Sequence, residues 1–509
     1  MELSDYSICL TINLRYKVLS WVLMNQLEWY RGLLIAYRLF FHLMMKEEMV
    51  CFFDFLGGKK VEKNKQQLTR TMTSRHITMM ALGGAIGAGL FKGSSAAIDM
   101  AGPSVLIAYL IGGIILLFVM QGLAEMAVRN KEARTFRDLV QSVLGKYPAY
   151  FLDWIYWKMW VLNIAAESVV AAIFIQYWLP DYPIWILALS VSVLVTAINL
   201  LSVKIFAETE YWLALIKITV IIVFIIAGLI LLLVTFGNHN AVGFANLTEH
   251  GGFFPNGSTG LIAAMLVVIY SYGGTEIIGI TLAETKNPEK VVPKAVRSTL
   301  VRIVTFYLLP FFIIVSLIPW NEVNGVPESP FVMVFKMVGI PGADHIMNAV
   351  VLLAIISSMN SGLYGSSRVL YTQAVDGRVP KIFAYLSKRK VPVYAILMCT
   401  LAMYLGVILS LYAGSKTFDF LMGSLGYTVL FIWLIIAIAH LKSRKKQAEH
   451  TSAYEVKWFP YTTWVAILAL SAILIGIIFT TSIIVTGITL AIYLFITLTY
   501  VLKGRYQDN

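Results

Sequence analysis

Four glycines fall within seven positions in Gly83-Gly84-Ala85-Ile86-Gly87-Ala88-Gly89-Leu90-Phe91. Each glycine costs a helix interior roughly 1 kcal/mol relative to alanine. The run is therefore a poor continuous helix, but a good place for a helix to break and set bare backbone against a ligand. A second interruption stands at Ile269-Tyr270-Ser271-Tyr272-Gly273-Gly274-Thr275-Glu276. Isolated ionisable residues sit in apolar surroundings at Glu167, Lys217 and Glu276, and Ser357, Ser358, Asn360 and Ser361 cluster in a third segment. The chemistry these types offer is recognition by backbone amides and carbonyls, with a few charges to sense or carry a proton. No stretch assembles a nucleophile with a base or a set of metal ligands, so we expect no catalytic residues, no metal and no enzyme activity.

The elements that must hold these residues are membrane spans. Of 509 residues, 59% are hydrophobic and only 13% charged, where a soluble domain carries roughly 25% charged residues; mean hydropathy is +0.76. The net charge of +12 is scattered between apolar runs. It reads as topology-setting charge rather than a nucleic-acid footprint. Cys9, Cys51 and Cys399 form neither a disulfide framework nor a metal spacing. Residues 1–60 differ from the rest, being short apolar fragments cut by arginines and acids, with no signal-peptide order. They read either as an amphipathic surface segment or as a start-site artefact, with translation beginning at Val61. Residues 61–75 form a basic tail.

From residue 76 the chain reads as twelve spans, near 76–98, 104–128, 148–179, 184–203, 208–236, 258–283, 299–319, 344–375, 392–412, 417–440, 461–480 and 482–502. Lysines and arginines gather in alternate loops, as at Arg129–Arg137, Lys286–Arg297 and Arg378–Lys390, while Asp181–Pro183 and Gly237–Gly257 carry none. By the positive-inside rule both termini face the cytoplasm. The two glycine interruptions lie five spans apart, which points to inverted repeats around a midplane site. Gly112, Gly113, Gly362 and Gly365 read instead as close helix packing, and Trp154, Tyr156, Trp157 and Trp160 as an interfacial aromatic belt.

Arg75-His76-Ile77 before the glycine run, Gly102-Pro103-Ser104, Ala214-Leu215-Ile216-Lys217, Tyr272-Gly273-Gly274-Thr275-Glu276, Glu284-Thr285-Lys286-Asn287-Pro288 and Ser358-Met359-Asn360-Ser361-Gly362 together resemble the amino acid transporters of the amino acid–polyamine–organocation superfamily. The resemblance covers roughly residues 70–505. It implies an all-α, LeuT-like fold of five-plus-five inverted repeats, residues 76–236 and 258–440, with two trailing helices in 461–502. It also implies amino acid uptake across the cell membrane, usually driven by protons.

For such a substrate, the carboxylate calls for unpaired amides at the start of a half-helix. The amides of Ile86, Gly87, Ala88 and Gly89 meet that need, although family members often carry a hydroxyl where Ala88 stands. The ammonium calls for carbonyls freed near Tyr270, Ser271 and Tyr272, with Gly274, Thr275 and Glu276 completing the site. In proton-coupled relatives a lysine in the segment of Lys217 contacts span 1 and takes the place of a sodium ion. Its protonation can alternate with conformation; the bland alternative is a snorkelling lysine. Glu276 is a candidate for sensing the side chain or relaying a proton. Glu167, Ser357, Ser358 and Asn360 are pocket or gate candidates, a structural hydrogen bond being the alternative for Glu167. Glu208 and Glu210 read as interfacial, and Glu125 as a packing or gating charge. The expectation is a proton-coupled permease for amino acids, neutral ones favoured, with the bilayer as its other partner. The rivals are a sodium symporter, an exchanger and a non-transporting receptor.

Overall fold

The computed structural model describes residues 86–130, 133, 135–201, 203–237, 244–276, 296, 301–323, 328–339, 341–413, 416–446 and 454–507. The N-terminal extension and basic tail, Gly83 and Gly84, Cys9 and Cys51, and the 284–293 segment lie outside them. Helices make up the regular structure of the described residues. In chain order they are α1 (Ala88–Phe91), α2 (Gly93–Ala101), α3 (Val105–Arg129), α4 (Phe136–Leu144), α5 (Lys146–Gln176), α6 (Ile184–Leu201), α7 (Val203–Gly237) and α8 (Gly257–Tyr272). There follow α9 (Leu309–Leu317), α10 (Pro330–Met337), α11 (Ala343–Val375), α12 (Val393–Ala413), α13 (Lys416–Lys446), α14 (Tyr461–Thr480) and α15 (Ile483–Gln507). Among the described residues, eight helical stretches are long and apolar enough to cross a bilayer, and three more are apolar but shorter. The chain is an all-α polytopic membrane protein.

Local chemistry sets the boundaries. The 3-10 turn Gly102–Ser104 divides α2 from α3, with Gly102 at φ +60° and Pro103 filling a first-turn position whose missing amide costs little. Thr135 and Asp138 form a capping box at the start of α4. Ser329 caps α10 by accepting the Phe331 amide, with Pro330 next in line.

Burial sorts the helices into an inner and an outer set. The apolar windows of α5 and α13 are 72% and 78% buried, whereas that of α14 is 22% buried. α5 is the central post, packing against α6, α11, α12 and α13. The outer helices present side chains such as Leu233, Phe479 and Ile483 at 71–84% exposure, a surface suited to lipid tails. Trp154, Tyr156, Trp157 and Trp160 are 1–2% exposed, so they are interior packing and not an interfacial belt. The reason is the position of α5, which keeps no lipid-facing side over these turns.

Several loop cations have partners. Glu125, fully buried, accepts Arg444 Nε at 2.6 Å and the Val456 amide at 2.7 Å, and pairs in charge with Arg129, whose Nε lies 3.1 Å away. It thereby ties α3 to the end of α13. Asp153 of α5 takes Arg137 Nε at 2.6 Å and also pairs with Arg378. A further buried cation, Lys158, donates to the hydroxyls of Ser424 and Thr428, both at 2.9 Å. Tyr493 of α15 donates to the same Thr428 oxygen, and Thr489 donates to Ser424.

The glycine expectations hold at three positions of four. A β-carbon at Gly112, Gly113 or Gly362 would come within 2.6–2.7 Å of Val268, Ile303 or Ile164, while at Gly365 nothing lies within 4 Å. Gly362→Leu is therefore expected to destabilise the protein by about 1–3 kcal/mol through overpacking, and Gly365→Ala, which meets no neighbour, to stabilise it by up to about 1 kcal/mol. Thermal unfolding of the two variants in detergent checks the contrast.

Candidate functional site

The site begins where α1 begins. Gly87 is extended (φ −148°, ψ −153°), and helical structure starts at Ala88. Extended backbone does not require glycine, but the space does. A β-carbon on Gly87 would lie 2.4 Å from Glu167 Oε1 and 2.6 Å from Ser358 Oγ. The Ala88 amide donates to both oxygens of Glu167 at 3.1 Å, and the Ser358 hydroxyl donates to Oε1 at 2.8 Å. A carboxylate of the protein itself thus occupies an amide that the sequence assigns to a substrate carboxylate.

The carbonyl just before the break is also taken. Lys217 Nζ donates to the Ile86 oxygen at 3.2 Å, so its contact with span 1 is direct and it does not snorkel. Beside it Glu210, fully buried, accepts the Ser357 hydroxyl at 2.7 Å and Asn360 Nδ2 at 3.4 Å. Asn360 in turn accepts from Asn199 Nδ2 at 2.8 Å. The interfacial reading of Glu210 is corrected: α7 begins at Val203, earlier than expected, which carries Glu210 into the packed bundle. The charges of Glu210 and Glu167 both act on Lys217. A buried ammonium among carboxylates and hydroxyls is how a bilayer protein keeps intramembrane charge tolerable.

The second interruption faces the first. α8 ends at Tyr272, the Gly273 amide folding back to the oxygens of Ile269 and Tyr270 at 3.1 and 2.9 Å. Gly274 takes φ +90°, the left-handed region that favours glycine. Ser271 Oγ donates to the Gly89 oxygen at 2.9 Å, joining the two breaks. The expectation of freed carbonyls is corrected. Besides that of Tyr270, the Ser271 oxygen accepts Tyr307 OH at 2.8 Å and the Tyr272 oxygen accepts Thr275 Oγ1 at 2.8 Å. A break inside a membrane protein cannot leave carbonyls unpaired, so side chains have filled them. Each still has a second lone pair.

Between the breaks lies a cavity of about 30 Å³. Gly87, Gly89, Glu167, Tyr270, Ser271, Gly274 and Ser358 of the expected residues line it, joined by Met159, Trp160, Asn163, Gly273 and Val429. Tyr270 OH donates to Asn163 Oδ1 at 3.1 Å. Asn163 was legible as a polar residue one helical turn before Glu167; Val429 and Met159 carried no such signal. Tyr272, Thr275 and Glu276 lie off the cavity. Tyr272 packs among Tyr109 and Tyr307 with its hydroxyl on the Tyr109 oxygen at 2.9 Å. Thr275 contacts Arg302. Glu276, fully buried, accepts the Gly274 amide at 3.1 Å and Trp433 Nε1 at 3.5 Å. Ile86, Ala88, Lys217, Ser357 and Asn360 stand behind the cavity wall and shape it through the bonds above.

Comparison with known proteins matches residues 76–505 to the family described as amino acid permease. An uncharacterized amino acid permease of Bacillus subtilis (strain 168), YvbW, is 80% identical over 445 residues, covering 87% of this chain and 99% of the relative. The γ-aminobutyric acid permease of the same organism is 39% identical over 445 residues, 85% of this chain and 95% of the relative. The D-serine/D-alanine/glycine transporter of Escherichia coli (strain K12) is 39% identical over 408 residues, 79% and 86% of the respective chains.

Gly87→Ala is expected to push the Glu167 carboxylate off the Ala88 amide, at a cost of about 1–3 kcal/mol for the amide left unpaired. Adding Glu167→Ala removes the closest part of the clash and leaves that with Ser358, so the two changes together should cost less than their sum. A double-mutant cycle of thermal unfolding reads the coupling.

Proposed function

The chain belongs to the amino acid permease family, and from that premise we propose that it is a secondary active transporter taking up amino acids with protons by alternating access. The observation that carries the reading is the pair of helix interruptions facing each other across one cavity, with Lys217 bonded to the backbone of the first. On this reading the fold is the LeuT-like five-plus-five inverted repeat with about twelve spans. It resides in the cell membrane with both termini in the cytoplasm, and the family's activity is transport rather than catalysis.

A cavity of about 30 Å³ is far below the roughly 300–1,000 Å³ of ordinary ligand sites. Substrate entry therefore requires opening, and the group best placed to yield is Glu167. The incoming carboxylate takes the Ala88 amide and releases the Glu167 carboxylate. Two carboxylates on one amide repel, so a proton held in the Glu167–Lys217 network and the bound substrate favour each other. Protonated Lys217 holds the Ile86 carbonyl while the outward site fills. Once the cavity closes around the substrate, loss of the proton to the cytoplasm frees that carbonyl and loosens the inward gate. Protons rather than sodium fit this site because the Lys217 ammonium already holds the Ile86 carbonyl oxygen that a sodium ion would take.

A neutral amino acid fits the walls best. Met159, Trp160 and Val429 line the cavity, and Glu276 is held against Gly274 and Trp433 away from it. Two of the relatives named above take γ-aminobutyric acid and small neutral amino acids by their descriptions.

Proteoliposomes with imposed gradients and a panel of the common amino acids plus γ-aminobutyrate test the proposal. Uptake should follow the proton gradient and ignore sodium; sodium-driven accumulation overturns the coupling, and no accumulation of any amino acid overturns transport. Lys217→Ala should abolish proton-driven accumulation while sparing exchange, and undiminished concentrative uptake by that variant refutes the role of the lysine. Glu167→Ala, by removing the internal occupant of the Ala88 amide, should bind the panel's best substrate on the order of tenfold more tightly while accumulating it poorly. Equilibrium binding beside uptake separates the two effects.

A further inference from the structure

A second and larger cavity lies away from the paired breaks. Its volume is about 290 Å³, and its walls include Ile173, Phe174, Gln176, Pro180, Glu328 and Asn348. Phe174 stands two helical turns, about 10 Å, beyond Glu167 on the same face of α5. Asn348 lies on α11, the helix that carries Ser358. Glu328 adjoins Ser329, whose hydroxyl donates to the Phe91 oxygen at 2.6 Å, at the far end of α1. Two elements of the central site, α5 and α11, thus continue into this outer cavity, and Glu328 is tied to a third, α1, through Ser329. Pro180 of the cavity wall adjoins Asp181–Pro183, the loop whose lack of Lys and Arg predicts an exterior position.

Its hydrogen-bonding groups are one-sided. The amide donors are spent on the protein: Gln176 Nε2 on the Tyr182 oxygen at 2.8 Å, and Asn348 Nδ2 on the Phe174 oxygen at 2.9 Å. The neighbouring Tyr177 hydroxyl is spent on Asp344 at 2.6 Å. Among the described residues, no hydrogen bond takes the side-chain oxygens of Gln176 and Asn348 or the second carboxylate oxygen of Glu328. The first oxygen of Glu328 holds Lys336 Nζ at 2.5 Å, and that lysine side chain is 44% exposed. Such a rim pair exchanges at little cost. Unclaimed acceptors, one of them anionic, therefore belong to residues that line the cavity, while Ile173, Phe174 and Pro180 supply an apolar wall.

We propose that this outer cavity is a second binding site, selective for a primary ammonium on an apolar body, with Glu328, Asn348 and Gln176 as acceptors. An amino acid presents that group at its amino end, and so does a simple alkylamine; the chemistry at this site is shared by both. The site lies in line with the central cavity and gives an arriving amine a position outside the closed breaks. The proposal goes beyond the transport reading and does not need it, because the selectivity is for charge and is measured without turnover.

The test uses the full chain in proteoliposomes with Cys9, Cys51 and Cys399 replaced and Ile173→Cys introduced on the apolar wall. Labelling rates are measured for an aminoethyl thiosulfonate reagent, which carries a primary ammonium, and a sulfonate reagent of similar size, each normalised to its rate with a free thiol. The cationic reagent is expected to react on the order of tenfold faster, and Glu328→Gln to bring the two rates together. Butylamine should slow labelling in the Glu328 protein and not in the Glu328→Gln variant. γ-Aminobutyrate protecting as well as butylamine identifies amino acids as occupants, and protection by butylamine alone confines the site to amines without a carboxylate. Equal rates for the two reagents, labelling of neither, or protection that survives Glu328→Gln overturns the proposal. Pro180→Cys serves as the second probe position where Ile173→Cys disturbs folding. Charge-selective labelling without amino acid accumulation leaves this site standing and the transport reading fallen; accumulation with indifferent labelling does the reverse.

Discussion

A helix that stops inside a bilayer exposes backbone groups that lipid cannot satisfy, and this structure depends on how they are satisfied. Glu167 covers the Ala88 amide and Lys217 covers the Ile86 carbonyl, one charge of each sign on either side of the same break. Neither charge is tolerable alone in hydrocarbon, and the break is not tolerable without them. Ser358, Ser357 and Glu210 complete the set from α11 and α7. Four segments of the chain are thereby held to one another by a defect in the first. Under the proposed mechanism, the group that yields to the substrate, Glu167, and the group that holds the proton, Lys217, are bonded to the same three-residue stretch, Ile86 to Ala88. Coupling between the two would then be a matter of local electrostatics, without a long-range pathway.

Much of this was legible from residue types. Glycine clusters are rare enough in apolar runs to mark both breaks, and intramembrane charge is costly enough to single out Lys217 and Glu167. The packing glycines Gly112, Gly113 and Gly362 were legible too, because small residues in apolar helices meet neighbours. What escaped was anything that depends on where a helix starts or which way it faces. Glu210 looked interfacial because α7 extends further back than its apolar run suggests. The tryptophans of α5 looked like a belt because composition cannot distinguish a central helix from a peripheral one. The carbonyls of Tyr270 to Tyr272 looked free because their partners, Gly273, Thr275 and Tyr307, are chosen by tertiary packing. Glu276, adjoining the glycines in sequence, is turned to Trp433 by the same packing.

The inner and outer helices also divide the work. α5, α11 and α13 are packed on nearly every side and carry the polar groups, whereas α14 meets mostly lipid. Two of the loop cations, Arg378 and Arg137, converge on Asp153 at the foot of α5. The central post is thus anchored by charges from two separate loops.

Lys158 adds a constraint in time. It enters the bilayer with α5, yet the hydroxyls that solvate it belong to Ser424 and Thr428, 266 and 270 residues later in the chain, and to helix α15 behind them. At roughly 5–20 residues per second, the ribosome needs between about ten seconds and a minute to deliver them. Throughout that interval the nascent α5 carries an ammonium with no native partner. The central post of the bundle can therefore be seated in its final depth and rotation only near the end of synthesis. Until then the insertion machinery, a water-lined passage or the lipid headgroups must shelter that one charge.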